Sequence, residues 1–197
     1  MDTTRFEVDE SGTARLNTSK GVLMMDAADL QILQQPCQIK IKRDPSGHAV
    51  YRADVWTTAK PHKRIGFLSR LIMNAPFGMV VDHINHDTLD NRRCNMRVCT
   101  HSENCRNRMK NAQSKGRFKC VGYHHAKKYN QNASEAKPWR AYTTVHGKRI
   151  WLGYHATEEA AAAAYDQYAI KTFGDFACLN TMKPLPVKVP LEGSALG

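Results

Sequence analysis

Apolar and polar positions alternate in short runs through the middle of the chain. Apolar runs at residues 78–81 and 96–99 flank a polar loop at 85–93, a pattern typical of a β-hairpin. Thr100 and Glu103 have the spacing of a capping box, so a helix is predicted to begin at Thr100. The pattern therefore predicts two strands that lead directly into a helix.

A second group of short strands follows a polar connector at residues 109–115. Strands are predicted at residues 118–124, 139–145 and 148–154. His146 and Gly147 are suited to a tight turn between the last two strands. A long alanine-rich helix follows, with Thr157 as its predicted N-cap and Gly174 at its end. Its predicted sheet-facing stripe is Ala161, Tyr165, Tyr168, Ala169 and Thr172.

The two ends of the chain have weaker patterns. Residues 1–77 predict a β-rich lead-in segment, and residues 182–197 predict a disordered tail rich in proline and glycine. Candidate strands in the lead-in are residues 21–25, 38–42 and 49–56. The whole pattern predicts an α+β fold: a β-rich N-terminal segment, a ββα motif at residues 78–110, and a three-stranded antiparallel sheet packed on one helix at 115–181.

The predicted hairpin and helix carry four polar residues suited to hydrolysing a phosphodiester with a metal ion. His83 can accept a proton from water, and Asn95 can hold the imidazole in one orientation. Asp82 and Asn104 can supply hard oxygen ligands to a divalent ion. Neighbours on a regular strand face opposite sides, so we expect a bend at Asp82 that lets it share a site with His83.

The same segment also fits a hairpin and helix whose polar residues only satisfy turns and caps. For an isolated Asp-His pair that explanation is the commoner one, because short motifs match by chance. The four residues together with the capping box form a more specific combination. This combination favours catalysis over a purely structural role.

The stretch VDHINHDTLDNRRCNMRVCTHSEN, residues 81–104, resembles the HNH nuclease family, in particular the ββα-metal homing endonucleases common in phages. The resemblance implies that Asp82 and Asn104 bind one divalent ion, Mg²⁺ or Mn²⁺. It implies that His83 is the general base and that Asn95 orients it. The expected activity is site-specific hydrolysis of DNA phosphodiesters, and we expect a nick because one site cuts one strand.

The chain departs from that family pattern in the hairpin loop and in the helix. Asn85 and His86 stand where Asp-Gly is common, so residues less tolerant than glycine must meet the turn geometry. Met96 follows Asn95 where leucine is usual. The third letter of the motif is Asn104, which is a variant of the family.

Positive charge is concentrated beside this motif. The formal net charge is +11, and residues 92–128 contain eleven Lys or Arg against one acid, Glu103. This density predicts contacts with the phosphate backbone of double-stranded DNA, and a solvated basic linker is the alternative. The predicted phosphate contacts are Arg92, Arg93, Arg106, Arg108 and Lys110. No apolar run approaches the roughly 20 residues of a membrane-spanning helix, so we expect no membrane partner.

Residues 115–181 contain VGYHH, WRAYTTVHGKRIWLGYH and TEEAAAAAYDQYAIKTFGDFACLN, in that order. They resemble the apetala/ethylene-response-factor (AP2/ERF-type) DNA-binding domain, which implies a three-stranded sheet that enters the major groove. The implied DNA contacts are Trp139, Arg140, Lys148, Arg149 and Trp151. Alternate strand residues share a face, so Arg149 and Trp151 should point together. The alternative for Trp139 and Trp151 is a core position under the helix.

The six cysteines include no C-x-x-C pair. Cys94, Cys99, His101 and Cys105 have zinc-binding chemistry, but their spacing is irregular, and reduced thiols are the expected state. With no secretory signal in the sequence, we expect a reducing compartment. If the phage resemblance holds, that compartment is the cytoplasm of an infected bacterial host.

These expectations define a leading hypothesis and two alternatives. The leading hypothesis is an HNH homing endonuclease that reads its site with the C-terminal sheet, as a monomer or alternatively a dimer. The first alternative is a non-catalytic DNA-binding regulator that retains the HNH fold. The second is a basic protein that binds RNA or lipid, whose binding would not depend on Arg140 or Arg149.

Overall fold

The computed structural model describes residues 6–33, 37–43, 51–110, 116–123 and 137–180. These residues form two compact units, one up to His101 and one from Ser102 onwards. The strands of the first unit are β1 (Glu7–Val8), β2 (Thr13–Thr18), β3 (Gly21–Asp26), β4 (Cys37–Arg43), β5 (Tyr51–Thr57), β6 (Arg64–Phe67), β7 (Val80–His83), β8 (Asp90–Asn91) and β9 (Met96–Cys99). Its helices are α1 (Leu68–Met73) and two 3₁₀ helices, Ala27–Leu33 and Arg93–Asn95.

The N-terminal strands form a sheet that also includes part of the predicted hairpin loop. Its order is β1-β2-β3-β8, and β2 and β3 are an antiparallel pair. β8 joins in parallel, with Met24 beside Asp90 and Met25 beside Asn91. The lead-in segment therefore holds two residues of the loop in place by backbone pairing.

One hydrophobic core serves the lead-in segment and the hairpin together. Its buried residues are Ala14, Leu23, Met25, Ala53, Val55, Leu68, Ile72, Leu89 and Met96. Leu89 and Met96 come from the predicted ββα motif, and the other members come from the lead-in. The predicted boundary between residues 77 and 78 therefore does not separate two cores.

The hairpin itself consists of β7 and β9 in antiparallel register, from Val80 opposite Cys99 to His83 opposite Met96. β7 begins later than the pattern predicts because Gly78 lies in a turn with φ +82°. The strand runs through Asp82 and ends at His83, one residue after the bend expected at Asp82. His86 has φ +66°, the left-handed conformation that glycine adopts most easily.

The second unit contains the predicted sheet and helix. After α2 (His101–Asn107), an antiparallel sheet has the order β10-β11-β12, formed by β10 (Val121–Tyr123), β11 (Trp139–Val145) and β12 (Lys148–His155). His146 and Gly147 have φ +49° and +75°, which suits a tight type I′ turn. The predicted α+β fold with a three-stranded antiparallel sheet and one helix is confirmed.

The long helix α3 (Glu158–Phe173) packs one face on this sheet. The hydroxyl of Thr157 accepts a hydrogen bond from the Ala160 amide at 3.1 Å, as expected of an N-cap. The buried apolar residues of α3 are Ala161, Ala162, Tyr165, Ala169 and Phe173. Thr172 is exposed, and the larger apolar side chain of Phe173 takes the last buried position instead.

The predicted tail at residues 182–197 lies outside the described residues. Residues 124–136, between the first two predicted strands of the C-terminal sheet, also lie outside the described residues. None of the helices among the described residues is long and apolar enough to cross a membrane.

Candidate functional site

Asp82 and Arg97 form a buried ion pair across the hairpin. The two residues are directly opposite each other in the β7–β9 register, and such pairs share a face of the ladder. Arg97 donates from Nε at 2.8 Å and from Nη2 at 2.6 Å to Oδ2 of Asp82. Asp82 is only 5% exposed. Arg97 is not a motif residue, but residue-by-residue pairing of the two predicted strands would have placed it near Asp82.

His83 is the last residue of β7 and is paired with Met96 of the core, at the point where the strand ends. Its Nε2 is 3.4 Å from Oδ1 of Asn91, which is 1% exposed. The Asn91 amide nitrogen donates to the carbonyls of Thr88 and Leu89, which fixes the orientation of the amide. Burial lowers the pKa of His83, against the opposing effects of the Asn91 hydrogen bond and nearby carboxylates.

Asn95 holds the loop together instead of contacting the imidazole. Its Oδ1 accepts a hydrogen bond from the Asn85 amide at 3.0 Å, and its Nδ2 donates to the Asp90 carbonyl at 2.8 Å. The contact with His83 that was predicted for Asn95 is therefore made by Asn91. The reason is the parallel pairing of β8 with β3, which holds Asn91 in place from outside the motif.

Two of the predicted phosphate contacts, Arg92 and Arg93, are paired with buried carboxylates. Arg92 donates to Asp90 at 2.8 and 2.7 Å, and Arg93 donates to Asp29 at 2.9 and 2.6 Å. Asp90 and Asp29 are 1% and 3% exposed. Removal of either arginine would leave a buried carboxylate without its charge partner, which is strongly destabilising. Burial raises the pKa of Asp90, but Arg92 and Asn85 hold it below its ordinary value.

The other predicted residues of the motif lie on or just after α2. Asn104, the predicted metal ligand, is half-buried on this helix. Arg106 has its guanidinium 5.0 Å from the ring centre of Phe173. Arg108 is exposed and Lys110 is half-buried. Arg92 and Arg93 are held by ion pairs. Among the other three predicted phosphate contacts, Arg108 has the most exposed side chain.

The two tryptophans of the C-terminal sheet occupy different environments. Trp139 packs against the core formed by Val121 and Ala141, and its ring meets Tyr123 edge-on at 5.2 Å. Trp151 is 53% exposed. The core alternative therefore describes Trp139, whereas Trp151 lies on the outer face of the sheet.

The outer face of β11 and β12 presents arginines stacked on aromatic rings. Arg140 and Arg149 lie 5.5 and 5.6 Å from the ring centre of Trp151, and Arg149 also lies 4.9 Å from that of Tyr142. Lys148 is exposed at the start of β12. This face can bind an anionic, hydrogen-bonding partner such as a DNA groove.

A family model described as HNH endonuclease matches residues 74–106, which include β7, β8, β9 and most of α2. Residues 74–106 are therefore similar to an HNH endonuclease domain. The matched segment contains Asp82, His83, Asn95 and Asn104. It also contains Asn91 and Arg97, whose roles follow only from the structure.

Two kinds of curated relative are similar to stretches of the chain. An uncharacterized HNH endonuclease, L560, of Acanthamoeba polyphaga mimivirus is 31% identical over 116 residues, which are 58% of this chain and 54% of the relative. Dehydration-responsive element-binding protein 1B of Oryza sativa, from subspecies japonica and indica alike, is 44% identical over 56 residues. That match covers 25% of this chain and 26% of the rice protein, and it is a partial similarity to an apetala/ethylene-response-factor protein.

The chain thus spans about half the length of the mimivirus relative and about a quarter of the rice proteins. No solved structure matches the chain.

The cysteine cluster considered for zinc does not form a metal site within the described residues. No group of three or more His, Cys, Asp or Glu residues there is arranged to hold an ion. All six cysteines are free thiols, and Cys94 and Cys105 are exposed. The candidate metal ligands of the HNH motif are therefore the oxygen donors Asp82 and Asn104.

Proposed function

We propose that this chain is a site-specific DNA endonuclease in which the HNH domain hydrolyses a phosphodiester bond with one divalent ion, Mg²⁺ or Mn²⁺. The observation that carries the proposal is the contact between His83 and Asn91 inside the segment that matches the HNH family. Phosphodiester hydrolysis requires a base that takes a proton from water, and an imidazole held in one orientation is suited to that role.

His83 is the proposed general base. Because Nδ2 of Asn91 donates to two carbonyls, its Oδ1 faces His83, and this oxygen can only accept a hydrogen bond. The proton of a neutral imidazole then lies on Nε2, and Nδ1 has the lone pair that takes the proton from water. The lowered pKa of His83 favours the neutral form that a base needs.

Asp82 and Asn104 are the proposed ligands of the ion. Magnesium-type ions prefer oxygen donors and are commonly held by one or two carboxylates, with water and phosphate completing the coordination. The carboxylate of Asp82 fits this chemistry, and Arg97 orients it by two hydrogen bonds to one of its oxygens. When bound, the ion would neutralise charge on the phosphate and stabilise the leaving oxygen.

The C-terminal sheet is the proposed reader of the DNA site. Its outer face offers Arg140 and Arg149, whose guanidinium groups match the acceptor pairs of guanine in the major groove. Tethering this reader to the nuclease raises the local concentration of the HNH domain at chosen sites. The resemblance to phage homing endonucleases supports a homing role in the cytoplasm of an infected bacterium, with a monomer that nicks.

Incubation of the purified full chain with supercoiled plasmid tests the proposal. We expect conversion to open circles in Mg²⁺ or Mn²⁺ and intact plasmid in a chelator, because one HNH domain cuts one strand. Linear product that forms without open circles would contradict nicking by a monomer. Intact plasmid that the protein still shifts in a gel would replace the proposal with the non-catalytic DNA-binding regulator.

Asn91→Ala should lower the cleavage rate by about 10–100-fold, the usual effect of removing a partner that orients a functional histidine. Asn95→Ala is the matched control, since it removes a buried loop amide that does not bind His83. Cleavage is measured at equal folded fractions, with urea unfolding alongside. If Asn95→Ala lowers the cleavage rate more than Asn91→Ala does, Asn95 is the residue that orients His83.

Arg149→Ala should weaken binding to the preferred duplex by about 1–3 kcal/mol, the typical contribution of an arginine that reads a base. Trp151→Ala should weaken binding as well, because it removes the ring on which Arg140 and Arg149 stack. Trp139→Ala should mainly lower the melting temperature, since Trp139 is partly buried and packs against the core. Affinities are measured on a duplex selected from a random library, and unchanged binding in Arg149→Ala and Trp151→Ala would contradict the assignment of this face.

A further inference from the structure

The sheet formed by β4, β5 and β6 has one face on the core and one strongly basic outer face. Alternate residues Ile39, Ile41 and Val55 pack in or against the hydrophobic core. The residues between them, together with β6, place four cations and two aromatic rings on the other side. These are Lys40, Lys42, Arg52 and Arg64, with Trp56 and Phe67.

Each ring on this face is covered by two cations. The ammonium groups of Lys40 and Lys42 lie 4.8 and 4.4 Å from the ring centre of Trp56. The guanidinium groups of Arg52 and Arg64 lie 4.8 and 4.7 Å from the ring centre of Phe67. These contacts hold long, flexible side chains close to the sheet, so part of their conformational entropy is lost on folding and not on binding.

The positive charge of this face is not balanced within the sheet. Its one carboxylate among the described residues is Asp54, which is 1% exposed and lies 3.5 Å from Nε of Arg52. Four cations against this single buried anion leave an excess of positive charge on the surface. Such an excess attracts a polyanion.

We propose that this face binds the phosphate backbone of duplex DNA, as a contact surface separate from the HNH motif and the C-terminal sheet. Proteins that bind single-stranded DNA have exposed aromatic rings on which the bases stack. Here cations cover both rings, so this face presents positive charge to its partner. Cations without a base-reading pattern position a protein on DNA and do not select sequence. The inference rests on the proposed function only in taking DNA as the partner.

The salt dependence of duplex binding tests this surface. The protein is the full chain with His83→Ala, so that cleavage does not interfere, and the probe is a mixed-sequence duplex. Lys40→Gln with Lys42→Gln should reduce the slope of log affinity against log salt by about 2, since each phosphate contact contributes about 0.9. The dissociation constant at near-physiological salt should rise by roughly an order of magnitude.

The control removes the same charge elsewhere. Lys20→Gln with Lys171→Gln changes two exposed lysines outside this face and should leave the slope unchanged. Arg64 lies on a different strand and contacts the ring of Phe67. Arg64→Gln should reduce the slope by about 1, and this second variant shows whether a folding defect explains the result of the lysine variant. An unchanged slope in both test variants, or an equal loss in the control, would overturn the proposal.

Two further results separate this inference from its alternatives. If the lysine variant loses retention on vesicles containing phosphatidylserine but keeps its DNA affinity, the face binds lipid and the proposal is overturned. Cleavage is measured separately with His83 intact at saturating protein. A reduced slope without any cleavage supports this surface while it overturns the proposed nuclease function.

Discussion

Replacing His83 with alanine should lower the rate of DNA cleavage by about 10²–10⁴-fold, the usual contribution of a general base. Duplex binding should be unchanged, because the proposed DNA-reading residues lie on other elements. The reason for the loss is that Asn91 leaves the lone pair of His83 on Nδ1, and alanine has no group that accepts the proton. Single-turnover cleavage of plasmid, with gel shifts in parallel, measures the two effects separately.

His62→Ala is the matched control for this experiment. His62 is an exposed histidine outside the HNH motif, so its loss should leave the rate of cleavage unchanged. Equal rates for the unsubstituted chain and the His83→Ala variant would remove His83 from the mechanism. Loss of binding together with cleavage would point instead to a structural role for this imidazole.

Arg97→Met should destabilise the protein by about 3–5 kcal/mol, because it removes the cation from a buried ion pair and leaves the carboxylate behind. Asp82 is 5% exposed and accepts two hydrogen bonds from Arg97. Cleavage should also fall, since the carboxylate proposed to bind the ion loses its fixed orientation. Urea unfolding measures the change in stability.

Arg15→Met provides the contrast, because Arg15 pairs with Asp9 at the surface, where side-chain exposures are 44% and 35%. Its loss should lower the free energy of unfolding far less than Arg97→Met does, because solvent screens an exposed ion pair. Adding Asp82→Asn to Arg97→Met should recover part of the lost stability, since the uncompensated charge is removed. Similar costs for Arg97→Met and Arg15→Met would show that the Asp82 pair contributes little to the fold.

Local elements of the fold follow closely from the sequence. The pattern predicts a strand at 139–145, and β11 is observed at Trp139–Val145. The predicted cap Thr157 and the terminal Gly174 are where α3 begins and ends. These features depend on backbone preferences and on hydrogen bonds within a few residues, so short patterns are enough to predict them.

The partners of the site residues could not be predicted in the same way. Asn91 contacts His83 because β8 pairs with β3, a strand far earlier in the chain. Arg93 donates to the buried carboxylate of Asp29, which is 64 residues earlier in the chain. A motif records which residue types are present, but it contains neither the register between distant strands nor the depth at which each side chain is buried.

The sequence by itself determined the kinds of elements, the HNH motif and the residue types able to carry out hydrolysis, because these depend on local periodicity and chemistry. Only the tertiary structure decided that Asn91 contacts His83, that Arg97 pairs with Asp82, and that Trp151 is exposed while Trp139 packs against the core. Those outcomes depend on burial and on pairing between distant strands. Both are set by the packing of the whole unit and not by any single segment.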